Sequence, residues 1–189
     1  SGNYRGAVYT GESTDNINDV IQGKDGEILK VVSINDPSTY THVFIGDARF
    51  KVTLNVPSEY STIQSALTAA SEGDTVLVQP GTYYENITWP ATNGIKLIGS
   101  GEDNCIIDGN QEASVIRFED YLGNIIDSTT IINGFTIKNG HAQGNGLNKK
   151  GGGIFCYNSN PSLENLIITD NSSNDDGGGI FNVGNILWL

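Results

Sequence analysis

The sequence GGGIFCYN at residues 151–158 is followed by GGGIFNVG at residues 177–184, so Gly-Gly-Gly-Ile-Phe occurs twice, 26 residues apart. Three consecutive glycines are unfavourable inside a helix and inside a strand. A second pair of similar segments, GFTIKNG from Gly134 and NLIITDN from Asn165, is separated by 31 residues. Repeats of roughly 20 to 50 residues are typical of architectures in which each repeat stacks on its neighbours. The sequence therefore predicts a repeated shape.

The repeat pattern also predicts how the backbone runs. We expect each repeat to supply two or three short strands that bend at turns and return to begin the next repeat. Strands of successive repeats then pair in parallel, with Ile, Leu, Val and Phe packed inside. Gly and Asn suit the bends, because glycine adopts positive φ and asparagine satisfies nearby backbone groups. Each Gly-Gly-Gly should form such a bend before an inward Ile-Phe strand, placing Ile154 and Ile180 one above the other.

Residues 57–74 contain the one clear helical pattern of the sequence. Ser61 followed by Gln64 fits a capping box, and Gly73 supplies a stop. The predicted helix is short, so it needs an apolar surface on which to pack. Its apolar residues fall at i, i+3, i+4 and i+7 and are Ile63, Ala66, Leu67 and Ala70.

Three segments are predicted along the chain. Residues 1–52 carry β-rich runs joined by turn residues, and we expect a small β extension without activity. Residues 53–75 hold the helix, and residues 76–189 hold the stacked β repeats. The apolar ending VGNILWL favours truncation of a longer protein, because the last repeat of a solenoid exposes its core and strand edges. Self-association through this end is the expected consequence of such a truncation. End-to-end stacking on another copy, and a folded-back tail with Trp188 as a lid, are the alternatives.

Charge and composition exclude several classes of partner. The formal net charge is −12, with ten Lys and Arg residues, so no basic surface for nucleic acid is expected. An acidic polysaccharide would be repelled unless a metal ion bridged it. No apolar run is long enough to predict membrane insertion. Cys105 and Cys156 are too few for a disulfide scaffold, and we expect two small buried residues.

Two long stretches resemble one known group of proteins. YSTIQSALTAASEGDTVLVQPGTYYENI, at residues 60–87, looks like the start of right-handed parallel β-helix proteins of the pectin-lyase-like superfamily. GGGIFCYNSNPSLENLIITDNSSNDDGGGIF, at residues 151–181, is similar to repeats of large secreted bacterial surface proteins. The resemblance covers residues 54–185. It implies an all-β, right-handed parallel β-helix solenoid whose N-terminal helix, at residues 61–71, plugs the first coil.

The resemblance does not extend to the catalytic motifs of the enzymes in that superfamily. Residues 81–85, Gly-Thr-Tyr-Tyr-Glu, fit the Gly-x-Tyr-x-Glu stretch of pectinesterases, but their Gln-Asp-Thr and Arg-Pro-Trp segments are not found. Pectate lyases need clustered Asp for calcium and an Arg base, and Arg117 is the one Arg after residue 50. We therefore expect a non-catalytic module.

Aromatic and acidic residues supply the candidate contacts. Tyr83, Tyr84, Trp89 and Tyr121 could stack on sugar rings, and the alternative is aromatic packing at strand ends. The acidic residues following two of the β runs could hold calcium, and the alternative is a solvated corner of local turns. Those residues are Asp170, Asp175 and Asp176, and GEDNCIIDGN offers Glu102, Asp103 and Asp108 on similar terms. No other cofactor is expected.

The expected function is structural or adhesive. The repeats, the acidic composition and the missing motifs favour a secreted or cell-surface β-helix module that contacts polysaccharide along its side. Two alternatives remain open. One is a fragment of a polysaccharide-active lyase or pectinesterase-like enzyme. The other is a phage tailspike or appendage protein in which residues 1–52 provide attachment or trimerisation.

Overall fold

A computed structural model describes residues 20–22, 28–34, 43–46, 51–119 and 126–184. Backbone contacts divide the chain into two units, Ser1–Phe50 and Lys51–Leu189.

The first unit contains an antiparallel three-stranded sheet. Its strands are β1 (Val20–Gln22), β2 (Ile28–Ile34) and β3 (Val43–Gly46), in the order β1-β2-β3. Both pairings are antiparallel, and the register shifts between Val31 and Ser33.

The second unit is rich in short strands. In its described residues every strand pairing is parallel. It also holds one α-helix and one 3-10 helix, at Gly146–Lys149. The strands and the α-helix are β4 (Thr53–Val56), α1 (Ile63–Ala69), β5 (Thr75–Val78), β6 (Gly81–Tyr84), β7 (Ile87–Thr88), β8 (Lys96–Ile98), β9 (Cys105–Asp108), β10 (Ile116–Glu119), β11 (Ile131–Lys138), β12 (His141–Ala142), β13 (Ile154–Tyr157), β14 (Ser162–Thr169), β15 (Ser172–Ser173) and β16 (Ile180–Val183).

The helix α1 buries its predicted stripe. Ile63, Ala66 and Leu67 are fully buried and Ala70 is 7% exposed, so this face packs on the core. The predicted capping residues were wrong by one position. Thr62 is the N-cap, and its hydroxyl accepts a bond from the Ser65 backbone. The helix ends at Ala69, before the predicted stop, and the carboxylate of Glu85 accepts the first two backbone N–H groups of the helix.

The described residues of the second unit form three sheets. The largest has seven strands in the order β4-β5-β8-β11-β9-β6, with β14 also paired to β11. The first half of β11 pairs with β8 and the second half with β9, and Gly134 lies between the halves with φ 79°. A four-stranded sheet has the order β16-β13-β10-β7, and β12 pairs with β15.

The parallel register places apolar residues of successive strands in columns. One inner column runs across the seven-stranded sheet and another across the four-stranded sheet. Their members are buried or packed against the core. They are Leu54, Val76, Leu97, Ile132 and Leu163 in the first, and Ile87, Ile116, Ile154 and Ile180 in the second.

Both predicted repeats are confirmed by the register. Ile154 lies opposite Ile180 in parallel strands, and Phe135 lies opposite Leu166. The bend preceding each strand is also repeated, because Gly151 and Gly177 have φ angles of 70° and 71°. The prediction of an inward Ile-Phe pair is wrong in its second residue. Alternation along a strand turns Phe155 to the face opposite Ile154, where the Arg117 side chain covers it.

The second unit is therefore a strand-rich structure of parallel sheets with few helices. Among the described residues no helix is long and apolar enough to cross a membrane.

Candidate functional site

The outer face of the seven-stranded sheet carries a line of side chains that we call the polar row. It runs across four parallel strands, because the register pairs Tyr84 with Asp108, Asp108 with Lys138, and Lys138 with Thr169. Adjacent strands lie about 4.8 Å apart, so the side chains of the row are close neighbours.

Alternation along the strands explains why these residues face outward. Each residue immediately before them belongs to an inner column that is buried or packs against the core. These inner residues are Tyr83, Ile107, Ile137 and Ile168. Since successive side chains point to opposite faces of a sheet, the polar row lies on the other side.

Tyr84 and Asp108 have very different environments. The Tyr84 side chain is open to solvent, with the residue 69% exposed, whereas Asp108 is 6% exposed. The Asp108 carboxylate accepts hydrogen bonds from the Asn110 backbone at 2.9 Å and from the Asn139 side chain at 2.8 Å. Lys138 Nζ lies 3.8 Å from the same carboxylate. These bonds hold the carboxylate in a fixed position beside an open aromatic ring.

The row combines groups that suit a sugar. A tyrosine ring offers an apolar face with a polar edge, which can stack on a pyranose ring. The partly exposed Lys138 ammonium can donate hydrogen bonds to hydroxyl groups. Ile167, which is 43% exposed and precedes Thr169 by two residues, extends the same face with an apolar side chain.

The other predicted aromatic residues lie elsewhere. Tyr83 is half-buried against the core, and its hydroxyl donates to the Gln79 carbonyl at 2.9 Å. Burial raises the pKa of Tyr83, and nearby Cys105 and Glu85 raise it further. Trp89 is 5% exposed and packs on Phe118 with a centroid separation of 4.7 Å. Trp89 therefore takes no part in the polar row.

The position of Tyr121 is outside the described residues. Nothing is therefore assigned to it.

Two of the acidic residues predicted for calcium, Asp175 and Asp176, are already paired with a lysine. Lys150 Nζ lies 3.0 Å from Asp175 and also forms a close ion pair with Asp176. Hydrogen bonds to Asp176 and then Asp175 raise the pKa of Lys150. Asp170 has φ 53° and occupies the bend after β14, as Asn139 does after β11 with φ 55°. A calcium ion at Asp175 and Asp176 would have to displace Lys150.

No group of three or more His, Cys, Asp or Glu side chains is placed to hold a metal ion within the described ranges.

A second feature, the aromatic column, lies on the outer face of the four-stranded sheet. Arg117 covers the Phe155 ring at 3.9 Å, and Phe155 stacks on Phe181 at 5.8 Å with an interplanar angle of 8°. Lys150 Nζ lies 4.9 Å from the Phe181 ring centroid. The Arg117 guanidinium is held by Glu119 at 2.7 Å and by Ser114 at 3.0 Å. Because Phe155 is fully buried and all three nitrogens of Arg117 have hydrogen-bond partners, the column is a packing element.

Two cysteines and one histidine are further reactive side chains among the described residues. The cysteines are buried, and the histidine has a hydrogen-bond partner. Cys105 and Cys156 are buried, as predicted, and neither forms a disulfide. Burial raises the pKa of the Cys156 thiol to about 12 and also raises that of Cys105. His141 Nδ1 lies 2.7 Å from the Ser172 hydroxyl, its register partner on β15.

Sequence reasoning found Tyr84 but did not connect it with Lys138. The alternation in the FTIK segment, with Phe135 and Ile137 buried, contains the signal that Lys138 faces outward. The pairing with Asp108 required the register, because the turns between the strands differ in length.

Neither a scan of protein-family models nor a search of curated proteins finds a match to this sequence.

Proposed function

We propose that residues 51–184 are coils of a right-handed parallel β-helix, as in proteins of the pectin-lyase-like superfamily. The order of the strands supports this. β5, β6 and β7 are followed by β8, β9 and β10, and each pairs in parallel with its counterpart. The same succession continues through β11–β13 and β14–β16. Parallel strands joined by a crossover are almost always connected in the right-handed sense.

The function that follows is that of a non-catalytic, secreted or cell-surface module with a structural or adhesive role. It contacts polysaccharide through the polar row. The observation that carries this proposal is the exposure of the Tyr84 ring beside the fixed carboxylate of Asp108 and the ammonium of Lys138. An exposed aromatic ring next to oriented polar groups can bind a sugar without any chemical step.

The engagement of the acidic side chains favours binding over catalysis. Glycoside hydrolysis requires two carboxyl groups at a defined separation across the sugar. Here Glu119 is paired with Arg117, and Asp175 and Asp176 are paired with Lys150. Glu85 accepts two backbone N–H groups of α1. These carboxylates have structural partners in the described part of the chain.

A binding experiment tests the proposal. The full chain would be titrated with neutral and acidic polysaccharides by isothermal calorimetry, with and without added calcium. Tyr84→Ala should weaken binding about fivefold, since loss of an aromatic stacking contact removes on the order of 1 kcal/mol. Tyr84→Phe keeps the ring and should retain most of the affinity. Val183→Ala, on the four-stranded sheet, is a matched exposed control.

Three results would contradict this role. Undiminished binding by Tyr84→Ala would place the contact elsewhere on the molecule. Release of reducing ends, unsaturated products or methanol from the polysaccharides would favour the enzyme alternative. A tight trimer in sedimentation experiments would favour the tailspike alternative.

A further inference from the structure

Four Asn-Gly pairs occur in the sequence, and all four lie in described segments. They are Asn93-Gly94, Asn133-Gly134, Asn139-Gly140 and Asn145-Gly146. Asn-Gly is chemically labile, because the unhindered glycine nitrogen can attack the asparagine side-chain carbonyl. The four pairs therefore offer the same chemistry in four different surroundings.

In the first of these pairs, hydrogen bonds restrain both reacting groups, the Asn93 side-chain amide and the Gly94 nitrogen. Asn93 Oδ1 accepts from the Asp127 backbone at 3.0 Å and from the Thr130 hydroxyl at 2.9 Å. The Gly94 nitrogen donates to Thr130 Oγ1 at 2.9 Å. Attack by the Gly94 nitrogen on Asn93 would require these bonds to break.

The second and third pairs are restrained in a similar way. Asn133 Nδ2 donates to Glu164 at 2.9 Å, and the pair lies within β11. Asn139 Nδ2 donates to Asp108 at 2.8 Å. The Gly140 nitrogen donates to Asn171 Oδ1 at 2.7 Å. Both pairs can react only after these hydrogen bonds open locally.

Asn145-Gly146 lies in a different setting. Both residues are exposed, in the segment that joins β12 to β13. Asn145 precedes the 3-10 helix and its side chain makes no capping hydrogen bond. The Gly146 nitrogen begins that helix, so its N–H is not used by the helix itself. Glycines at 144 and 146 have φ angles of 107° and 58°, and a Cβ on Gly146 would meet no atom within 4 Å.

We propose that Asn145 is a site of spontaneous deamidation in the folded protein. The Gly146 nitrogen loses its proton and bonds to Asn145 Cγ. The bond from Cγ to the side-chain nitrogen breaks, and ammonia leaves. Water then opens the resulting succinimide at either carbonyl, giving aspartate or a β-aspartyl linkage. Each event replaces an amide and one water by a carboxylate and ammonium, and adds a negative charge near Lys149 and Lys150.

Peptide mapping of the aged protein tests this inference. The full chain is incubated at neutral and mildly alkaline pH, digested with trypsin and sequenced by tandem mass spectrometry. Lys138 and Lys149 leave Asn139 and Asn145 in one tryptic peptide, so fragmentation must separate the two sites. The other three pairs are internal controls, and the Asn145→Gln variant should lack the fast conversion while keeping the circular dichroism spectrum of the parent.

The expected result is conversion at Asn145 at least about tenfold faster than at the other three sites, since those need local opening. The Asn145 rate should also rise with pH. After denaturation in urea, the four sites should convert at rates within a few-fold of one another. Equal rates at all four sites in the folded protein, or a faster rate at one of the other three, would overturn the inference.

Discussion

Gly153 and Gly179 are the third glycines of the two Gly-Gly-Gly segments. They occupy equivalent positions, but the space available for a side chain differs between them. A Cβ on Gly153 would lie 2.6 Å from the Gly179 carbonyl oxygen and 2.8 Å from the Asn171 side-chain nitrogen. A Cβ on Gly179 would lie 3.7 Å from Ile168, an ordinary van der Waals distance. Neither residue has a positive φ, so the difference between them is steric.

This difference predicts unequal effects of alanine at the two positions. Gly153→Ala should destabilise the protein by about 1–3 kcal/mol, because the new methyl group overlaps fixed backbone. Gly179→Ala should change stability by no more than about 0.5 kcal/mol. Urea denaturation of both variants measures the free energy of unfolding. Equal losses in the two variants would contradict the packing described for these bends.

Burial of the Cys156 thiol has a consequence for pH. Its pKa of about 12 in the folded protein lies above the value of about 8.5 for an exposed thiol. Between these values the folded state holds a proton that the unfolded state releases. The protonated Cys156 thiol therefore makes its full contribution to the stability of the folded protein below the unfolded pKa. This contribution is lost as pH rises toward 12.

A thiol-specific reagent tests the protonation of the buried cysteines. At mildly alkaline pH, Cys105 and Cys156 should react only as fast as the protein unfolds, because the neutral, buried thiol is a poor nucleophile. In urea both should react at once. Rapid modification of both thiols in the folded protein would contradict their burial.

The helix α1 and the strand β13 show what can be predicted at the level of an element. The apolar period of α1 correctly identified its buried face, since burial follows directly from helical spacing. Its cap could not be chosen from sequence, because Ser61 and Thr62 are adjacent hydroxyl residues and only Thr62 reaches the Ser65 nitrogen. For β13, composition indicated an apolar Ile-Phe pair facing the core. Side chains alternate along a strand, so Phe155 lies on the outer face of the sheet, where Arg117 covers it.

The aromatic column joins β10, β13 and β16. The stacking of Phe155 on Phe181 should contribute to the free energy of unfolding. Phe155→Leu and Phe181→Leu should each destabilise the protein, and the double variant should lose less than the sum. The coupling energy expected for stacked rings is about 0.5–1.5 kcal/mol. Denaturation of the single and double variants gives this energy.

A cycle between Phe135 and Phe181 serves as the control for that measurement. Phe135 is buried on β11, in another sheet, and its coupling should be near zero. Coupling between Phe155 and Phe181 no larger than this control would contradict a stacked contact.

At the scale of the molecule, the parallel pairing of the second unit was predictable and the polar row was only partly so. Repeat spacing and the Gly and Asn bends were sufficient to predict the parallel pairing, because stacked repeats must place equivalent strands side by side. The polar row joins Tyr84, Asp108 and Lys138, whose separations along the chain are unequal. Turns of different length separate these residues, so no single period aligns them and only the register does.

Calcium should leave the stability of the molecule unchanged. Lys150 already forms ion pairs with Asp175 and Asp176, so an added cation gains little by replacing it. A ligand that binds the folded state raises the melting temperature. We expect no such rise from calcium binding at Asp175 and Asp176. Calorimetry with calcium and with a chelator measures this, with magnesium as the control cation. A rise specific to calcium would instead support the predicted metal site.

The most direct test of the β-helix proposal is a crystal structure of the full chain. It should show the backbone from residue 51 to residue 184 winding right-handed and rising by one strand spacing, about 4.8 Å, per coil. Ile116, Ile154 and Ile180 should form one inner column, and Tyr84, Asp108 and Lys138 one outer row. Antiparallel neighbours in this segment, or separate sheets that do not wind around a common core, would contradict the proposal.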